Sequence, residues 1–164
     1  MQLGVFGAQI EISNDMTKGD LLMLTSELLF PVVWIHPKYG IGLFIDEELL
    51  TTCTSVAYKN KYYDNAILLD STGNLFTIIG VDIISIKKRF IWNKLLKIKM
   101  HINPYHDHIT IDQLKTLLHK IINENPKFIE AMDEVGANIT TLNQALDKAN
   151  TKQDIVIAIN QWYA

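Results

Sequence analysis

The fold class is decided by residues 95–122, which read LLKIKMHINPYHDHITIDQLKTLLHKII. In the first part, from Leu95 to Ile102, Lys97 and Lys99 alternate with apolar residues, and this period of two predicts a half-exposed β-strand. Asn103-Pro104 ends that pattern. Thr110 and Gln113 then have the spacing of a helix capping box, and the apolar residues that follow recur at the 3.6-residue period of a helix. Strand gives way to helix at this point.

The chain before this point favours strands. Its short apolar runs contain β-branched and aromatic residues and are separated by turn residues, such as Asp70–Asn74. We predict strands, or an extended arm in the first case, over 3–12, 32–35, 41–45, 66–69, 75–79 and 81–86. One helix is expected among them: Thr17 and Asp20 are spaced like a capping pair, leucines follow at helical spacing, and Pro31 ends the helix near Leu29.

Four helices are expected after residue 110, because cap residues recur at regular intervals. Asn125-Pro126 closes the first helix and opens the second, and Gly136 provides a C-cap. Asn138 and the pair Thr151 and Asp154 begin the third and fourth. The fourth helix is apolar nearly all round, so it is either buried in its own core or docked on a partner, with a homodimer as one alternative. The expected fold class is α+β, with an antiparallel sheet in the N-terminal two-thirds and a helical C-terminal third.

Length and composition indicate one domain. The chain has 164 residues, and we predict a single α+β domain over 1–164 that is β-rich over 1–103 and helical over 110–163. Its single cysteine, Cys53, cannot form an internal disulfide. The N-terminus has no secretory signal pattern and no segment is long and apolar enough to span a membrane, so a cytoplasmic location is expected.

Charge is unevenly distributed. Residues 1–82 carry ten acids and four bases, whereas residues 83–100 carry six bases and no acid. This basic strip, which holds Lys87, Lys88 and Arg89, is interleaved with Phe90 and Trp92. Such a strip predicts contact with nucleic acid, an acidic protein or an anionic membrane surface. The competing interpretation is a solvated edge strand whose lysines prevent edge-to-edge pairing, with both aromatics in the core.

A second candidate contact surface lies just before the central hairpin. Tyr58, Tyr62 and Tyr63 lie there on either side of Lys59, Asn60 and Lys61. Aromatic residues are enriched in protein interfaces, so these tyrosines are candidate binding residues. The competing interpretation is a hydrated turn with one or two tyrosines packed beneath it.

No catalytic residues and no cofactor are predicted. His101, His106 and His108 are weak candidates for metal ligands, but their spacing fits no standard site and polar loop residues explain them better. Cys53 would need a base such as His36 brought near by folding, and nothing local supports an activated thiol. The residues around 101–112 nevertheless leave an enzyme site of unrecognised type as a third hypothesis.

The segment YYDNAILLDSTGNLFTIIGVDIISIKKR, residues 62–89, followed by the capped helices, resembles small uncharacterised bacterial α+β proteins. Some of these are immunity proteins, which neutralise a cognate toxin. The resemblance implies a cofactor-free interaction protein, often acidic, that blocks a basic partner, and it transfers no functional residue. We therefore expect a small bacterial protein-binding or inhibitor protein, with the acidic residues 1–82 and the Tyr58–Tyr63 loop as its contact surface. The alternative is a nucleic-acid or anionic-ligand binding module that uses residues 87–99.

Overall fold

A computed structural model of the chain describes residues 23–104 and 109–164. Within these ranges, six strands form one antiparallel sheet in the order β2-β1-β4-β5-β6-β3. The strands are β1 (Val32–His36), β2 (Gly40–Phe44), β3 (Thr52–Thr54), β4 (Ile67–Leu69), β5 (Leu75–Arg89) and β6 (Lys94–Pro104). The predicted α+β class, with the sheet first and the helices last, is confirmed.

In the described ranges, two short α-helices sit between the strands and four longer ones follow the sheet. The helices are α1 (Glu47–Leu50), α2 (Ser55–Lys59), α3 (Ile111–Glu124), α4 (Pro126–Glu134), α5 (Ile139–Lys148) and α6 (Lys152–Tyr163). The predicted capping chemistry is present: Thr110 Oγ1 accepts a hydrogen bond from the Gln113 backbone, and the Gln113 side chain accepts one from the Thr110 backbone. Gly136 follows α4 with a φ of +68°, as a C-cap glycine requires.

One face of the sheet packs against α3–α6. Val33, Ile35 and Leu69 point to this face and meet Leu118 and Ile122 of α3 in a shared hydrophobic core. The α6 helix is part of the same core through Ile155, Val156 and Ile159. The Tyr163 hydroxyl at its end donates a hydrogen bond to the Ile41 carbonyl oxygen of β2 at 2.6 Å. The apolar surface of α6 is thus largely engaged within its own chain.

The opposite face of the sheet forms a second core. The sheet curls here, so that Trp34, Leu68 and Phe76 in its centre share one cluster with Leu96 and Ile98 of β6. Helix α1 closes this cluster with the fully buried Leu50, and the same cluster holds Cys53 and Tyr63. Alternation along β6 produces the arrangement, because Leu96, Ile98, Met100 and Ile102 are buried while the lysines between them face outward.

The predicted helix ending near Leu29 is wrong within the described residues. The Met23 backbone N–H donates to the Ile102 carbonyl oxygen at 3.2 Å, so the chain pairs with the outer edge of β6, and only Thr25–Glu27 forms a 3-10 turn. Leu28 is buried while Leu24 and Leu29 are exposed. The helical spacing of the leucines is therefore overridden by pairing with a strand far along the chain. Thr17, Asp20 and the predicted arm over 3–12 lie outside the described residues.

The predicted break at Gly80 is also wrong. Residues 81–86 do not form a separate strand, because β5 runs for 15 residues through Gly80 and pairs with β6 along its length. Register shifts between Ile78 and Gly80, Ile83 and Ser85, and Ile86 and Lys88 mark β-bulges that absorb the irregularity. A glycine that reads as a break in the sequence is thus a bend inside one long strand.

Candidate binding surface

The β5–β6 hairpin is the most prominent feature for function. β4 has three residues and pairs with β5 only as far as Thr77, so the rest of β5 continues beyond its neighbour on that side. The turn from Phe90 to Asn93 joins β5 to β6, and the Phe90 N–H donates to the Asn93 carbonyl oxygen at 2.8 Å. The hairpin therefore carries the basic strip out from the body of the sheet.

The tip of the hairpin, defined as Phe90, Ile91 and Trp92, is apolar and exposed. Ile91 is 90% exposed and Trp92 is 93% exposed, and Phe90 is more than half exposed. The interpretation that places Phe90 and Trp92 in the core is therefore wrong. Among the described residues these three adjacent apolar side chains are left largely in water, and large apolar groups exposed in this way are typical of interaction sites.

The tip is held in place from one side. The Ser55 hydroxyl at the start of α2 donates to Asn93 Oδ1 at 2.7 Å and accepts from the Lys94 backbone N–H at 3.2 Å. These contacts span 38 and 39 residues of chain. The tip is thus presented by a fixed turn, and its apolar side chains are displayed in water with the backbone already ordered.

The cations of the basic strip fall into two groups. Glu48 of α1 forms ion pairs with both Lys87 and Lys97, and the Lys97 ammonium also donates to Thr51 Oγ1 at 2.6 Å. These two lysines help to attach the hairpin to α1. Other cations of the strip have no ion pair with any described residue; these are Lys88, Arg89, Lys94 and Lys99.

The cations nearest the tip belong to this second group. The Lys88 ammonium lies 5.0 Å from the centre of the Phe90 ring, close enough for a cation–π contact. Arg89 and Lys94 pair with one another across the base of the turn in the β5–β6 register. The tip is therefore apolar with a positive base, and this base is available to an acidic partner.

The predicted tyrosine surface is only partly exposed. Tyr63 is buried, and burial raises the pKa of its hydroxyl well above the usual range. Tyr62 stacks on Tyr39, with ring centres 4.0 Å apart, and lies parallel to Trp34 at 6.5 Å. Tyr58 lies near the end of α2. Lys59, Asn60 and Lys61 are exposed between them.

A cleft of about 470 Å³ joins this tyrosine segment to the hairpin. Tyr58 and Tyr63 line one wall, and Ile79, Gly80 and Val81 of β5 line the other. Lys59, Lys61, Asp64 and Asn65 stand at the same cleft. It opens where the pairing of β5 with β4 has ended, so the tyrosine segment borders the middle of β5, at residues that precede the basic strip.

The histidine and cysteine candidates that the structure describes border this surface, and each has contacts of its own. His101 Nε2 contacts Asp82 Oδ2 at 2.6 Å, while His106 and His108 lie outside the described residues. Over 23–104 and 109–164, no group of three or more metal-ligating side chains is close enough to hold an ion. Cys53 is buried, which raises the pKa of its thiol, and His36 Nε2 contacts the Asp64 carbonyl oxygen at 3.2 Å.

Comparison with known proteins found no matching family model, no matching curated protein and no matching solved structure. None of the helices in the described part of the chain is long and apolar enough to cross a lipid bilayer.

Proposed function

We propose that this chain is a small bacterial protein-binding protein of the inhibitor or immunity type, and that it binds its partner with the tip of the β5–β6 hairpin. The observation that supports the proposal is the exposure of Ile91 and Trp92, each nine-tenths in water at a fixed turn. Tryptophan and arginine are the residue types most enriched among the side chains that dominate binding energy, and Trp92 and Arg89 lie together here.

The side chains of the tip indicate what kind of surface the partner must have. A pocket that accepts Phe90, Ile91 and Trp92 must be apolar, because these side chains bring no charge into it. Its rim must be acidic, because Lys88, Arg89 and Lys94 surround the base of the tip and have no acidic neighbour among the described residues. The proposed contact surface therefore differs from the sequence expectation, which placed it on the acidic residues 1–82 and the Tyr58–Tyr63 loop.

Nucleic acid is the alternative ligand for the same surface. Exposed Trp92 could stack on a base, and the cations could contact phosphates. Two of the six cations already pair with Glu48, and this leaves a short positive patch on a chain whose net charge is −3. These features favour a protein partner, because domains that bind nucleic acid are usually basic overall.

The first stage of the test identifies the partner. The full chain and its Trp92→Ala variant are immobilised in parallel and exposed to a lysate of the source cells. Proteins retained by the wild type and lost from the variant are identified by mass spectrometry and purified. For an immunity-type function, the retained protein is a toxin whose activity falls when the chain binds it.

The second stage measures the purified pair by calorimetry. Trp92→Ala is expected to raise the dissociation constant about 30-fold or more, the effect of losing a dominant interface side chain. Val135→Ala is the matched control, because Val135 is also an exposed apolar residue but lies at the end of α4. Equal affinity of the wild type, Ile91→Ser and Trp92→Ala for that partner would contradict the proposal. So would single-stranded RNA binding that weakens steeply with salt while no protein is retained.

A further inference from the structure

From the edge of β5 that no described residue pairs with beyond Ile78, we infer that the chain forms a symmetric dimer in which β5 pairs antiparallel with β5 of a second copy. The inference rests on the proposed function, because the hairpin is the binding element in both. In the dimer the tip lies against the second copy, so a different protein partner and the second copy compete for it. The proposed partner is a second copy of the same chain.

The first argument is the unpaired edge. β6 occupies one side of β5 along its whole length, but on the other side no described residue pairs with β5 beyond Ile78, whose backbone bonds to Asn65 and Ala66. From Ile79 to Arg89 that edge offers a row of backbone donors and acceptors. An exposed strand edge of this length is a template for another strand, because each added hydrogen bond satisfies groups that the fold leaves open.

The second argument is the apolar surface beside that edge. Every residue from Asp82 to Arg89 is exposed. Ile83, Ile84 and Ile86 lie in this stretch, and Ile84 is 61% exposed. Isoleucines in a strand gain stability by packing against a neighbouring strand, and a second copy of β5 would bring the same isoleucines to the same place.

The third argument is the distribution of charge along the strand. Asp82 stands on one side of Ser85, and Lys87, Lys88 and Arg89 stand on the other. In an antiparallel pair centred on Ser85, Asp82 of one protomer faces Lys88 of its partner, and Ile84 faces Ile86. The Asp82 carboxylate contacts His101 Nε2 in its own protomer through Oδ2, and its side chain remains exposed. Lysines on an edge ordinarily keep two copies apart. Here the two-fold axis places Lys88 of each protomer against Asp82 of the other.

The same register carries the tip of one protomer to the cleft of the other. Past Arg89, the tip runs beside the start of the partner's β5, where Ile79, Gly80 and Val81 line the cleft. Its volume of about 470 Å³ is within the range of roughly 300–1,000 Å³ found for pockets that enclose small organic ligands, so it has room for an indole ring. Lys59 and Lys61 at the cleft can contact the face of that ring. A symmetric contact of this kind is made twice in each dimer.

The test measures the oligomeric state of the full chain by sedimentation over a series of concentrations. The wild type is expected to dimerise. Asp82→Lys and Lys88→Asp are each expected to raise the dimer dissociation constant about tenfold or more, because both symmetric charge pairs become like-charged. Asp133→Lys, an exposed site on α4, is the control and should dimerise like the wild type.

Mixing the two single variants gives the decisive result. Asp82→Lys in one protomer and Lys88→Asp in the other restore opposite charges at both pairs, so the mixture should form a heterodimer although neither variant dimerises alone. Circular dichroism of each variant verifies that it is folded. A wild type that stays monomeric at every concentration overturns the inference.

The other result that overturns the inference is a dimer that both variants leave unchanged. These outcomes are separate from the test of the proposed function. Sedimentation needs only the pure chain, whereas Trp92-dependent binding of a second protein is measured with that protein present.

Discussion

Glu48 Oε2 accepts a hydrogen bond from the Lys97 ammonium at 2.7 Å, across 49 residues of chain. The other oxygen of the same carboxylate contacts Lys87, so one acid on α1 engages both strands of the hairpin. The contact fixes the base of the hairpin and reduces the charge that the basic strip offers to a partner.

Removing the Glu48 carboxylate should therefore change the stability of the fold only slightly while making the surface of the hairpin more positive. Glu48→Gln is expected to lower the free energy of unfolding by about 1 kcal/mol or less, because these pairs are partly exposed and solvent screens them. It should also raise the salt concentration at which the chain leaves a heparin column, because Lys87 and Lys97 are released. Urea unfolding and column elution measure the two effects. Glu130→Gln removes an exposed acid of α4 and is the control; equal elution of the two variants would contradict the role of Glu48.

Replacing Asn125 with aspartate, a side chain of the same shape, should destabilise the fold. Its Oδ1 caps α4 by accepting from the Phe128 backbone, and its Nδ2 donates to the carbonyl oxygens of Pro37 and Lys38. Aspartate caps helices as well as asparagine but cannot donate. Asn125→Asp should therefore destabilise the fold by about 1–3 kcal/mol, the effect of leaving buried polar groups without a partner. Urea unfolding measures this change.

Asn138 provides the matched control for that prediction. Its Oδ1 accepts from the Thr141 backbone in the same capping geometry at the start of α5, and the residue is exposed. Asn138→Asp is expected to change the free energy of unfolding by no more than about 0.5 kcal/mol. Equal effects of the two substitutions on the free energy of unfolding would mean that the hydrogen bonds from Asn125 to the β1–β2 turn do not contribute measurably to stability.

Leu118 tests the packing of the helices on the sheet. It is fully buried on α3 in the core that also contains Val33 and Ile35. Leu118→Ala is expected to lower the free energy of unfolding by about 2–5 kcal/mol, because apolar contacts are lost and a cavity remains. Urea unfolding followed by circular dichroism measures this change. Leu49→Ala changes a half-exposed leucine and should cost much less; similar losses would place Leu118 outside a well-packed core.

Asp154 should produce a pH dependence of stability in the acid range. Hydrogen bonds from the backbone of Asn150, then from the side chain and backbone of Thr151, lower the pKa of this carboxyl below its ordinary value of 3.8. A lowered pKa in the folded state means that the carboxylate contributes stability above the unfolded value. That contribution is lost as the pH falls through the lowered value.

The measurement is urea unfolding of the wild type and Asp154→Asn at neutral pH and at several acid pH values. The difference between the two proteins should be present at neutral pH and shrink as the pH is lowered below 3.8. Asp133→Asn, in an exposed position without a capping role, controls for the general loss of a carboxylate. A difference that stayed constant with pH would contradict the capping role of Asp154.

Local chemistry predicted much of this fold. The four C-terminal helices begin at the predicted cap residues, because a threonine or asparagine side chain satisfies backbone N–H groups within three residues of itself. The hairpin at Asp70–Asn74 was equally readable, since Asp70 Oδ1 accepts from the backbone of Thr72 and Asn74. In these cases the partners lie next to each other in the sequence.

The candidate site was harder to predict from the sequence, because it depends on contacts between residues that are distant in the chain. The sequence located the basic strip, and it presented two interpretations of Phe90 and Trp92 without deciding between them. Burial of an aromatic side chain depends on whether a core lies beneath it. Both are exposed at the end of a hairpin whose outer part extends past the short β4, and no other described strand pairs with β5 on that side.

The sequence by itself determined the α+β class, the helix caps and the segregation of charge, because periodicity, capping and composition act over a few residues. Only the tertiary structure decided that Met23 pairs with Ile102, that β5 runs unbroken through Gly80, and that Glu48 binds two lysines of the hairpin. Each of these contacts joins residues distant in the chain. Such contacts depend on how the strands are ordered in the sheet, and the residue pattern of a single segment does not determine that order.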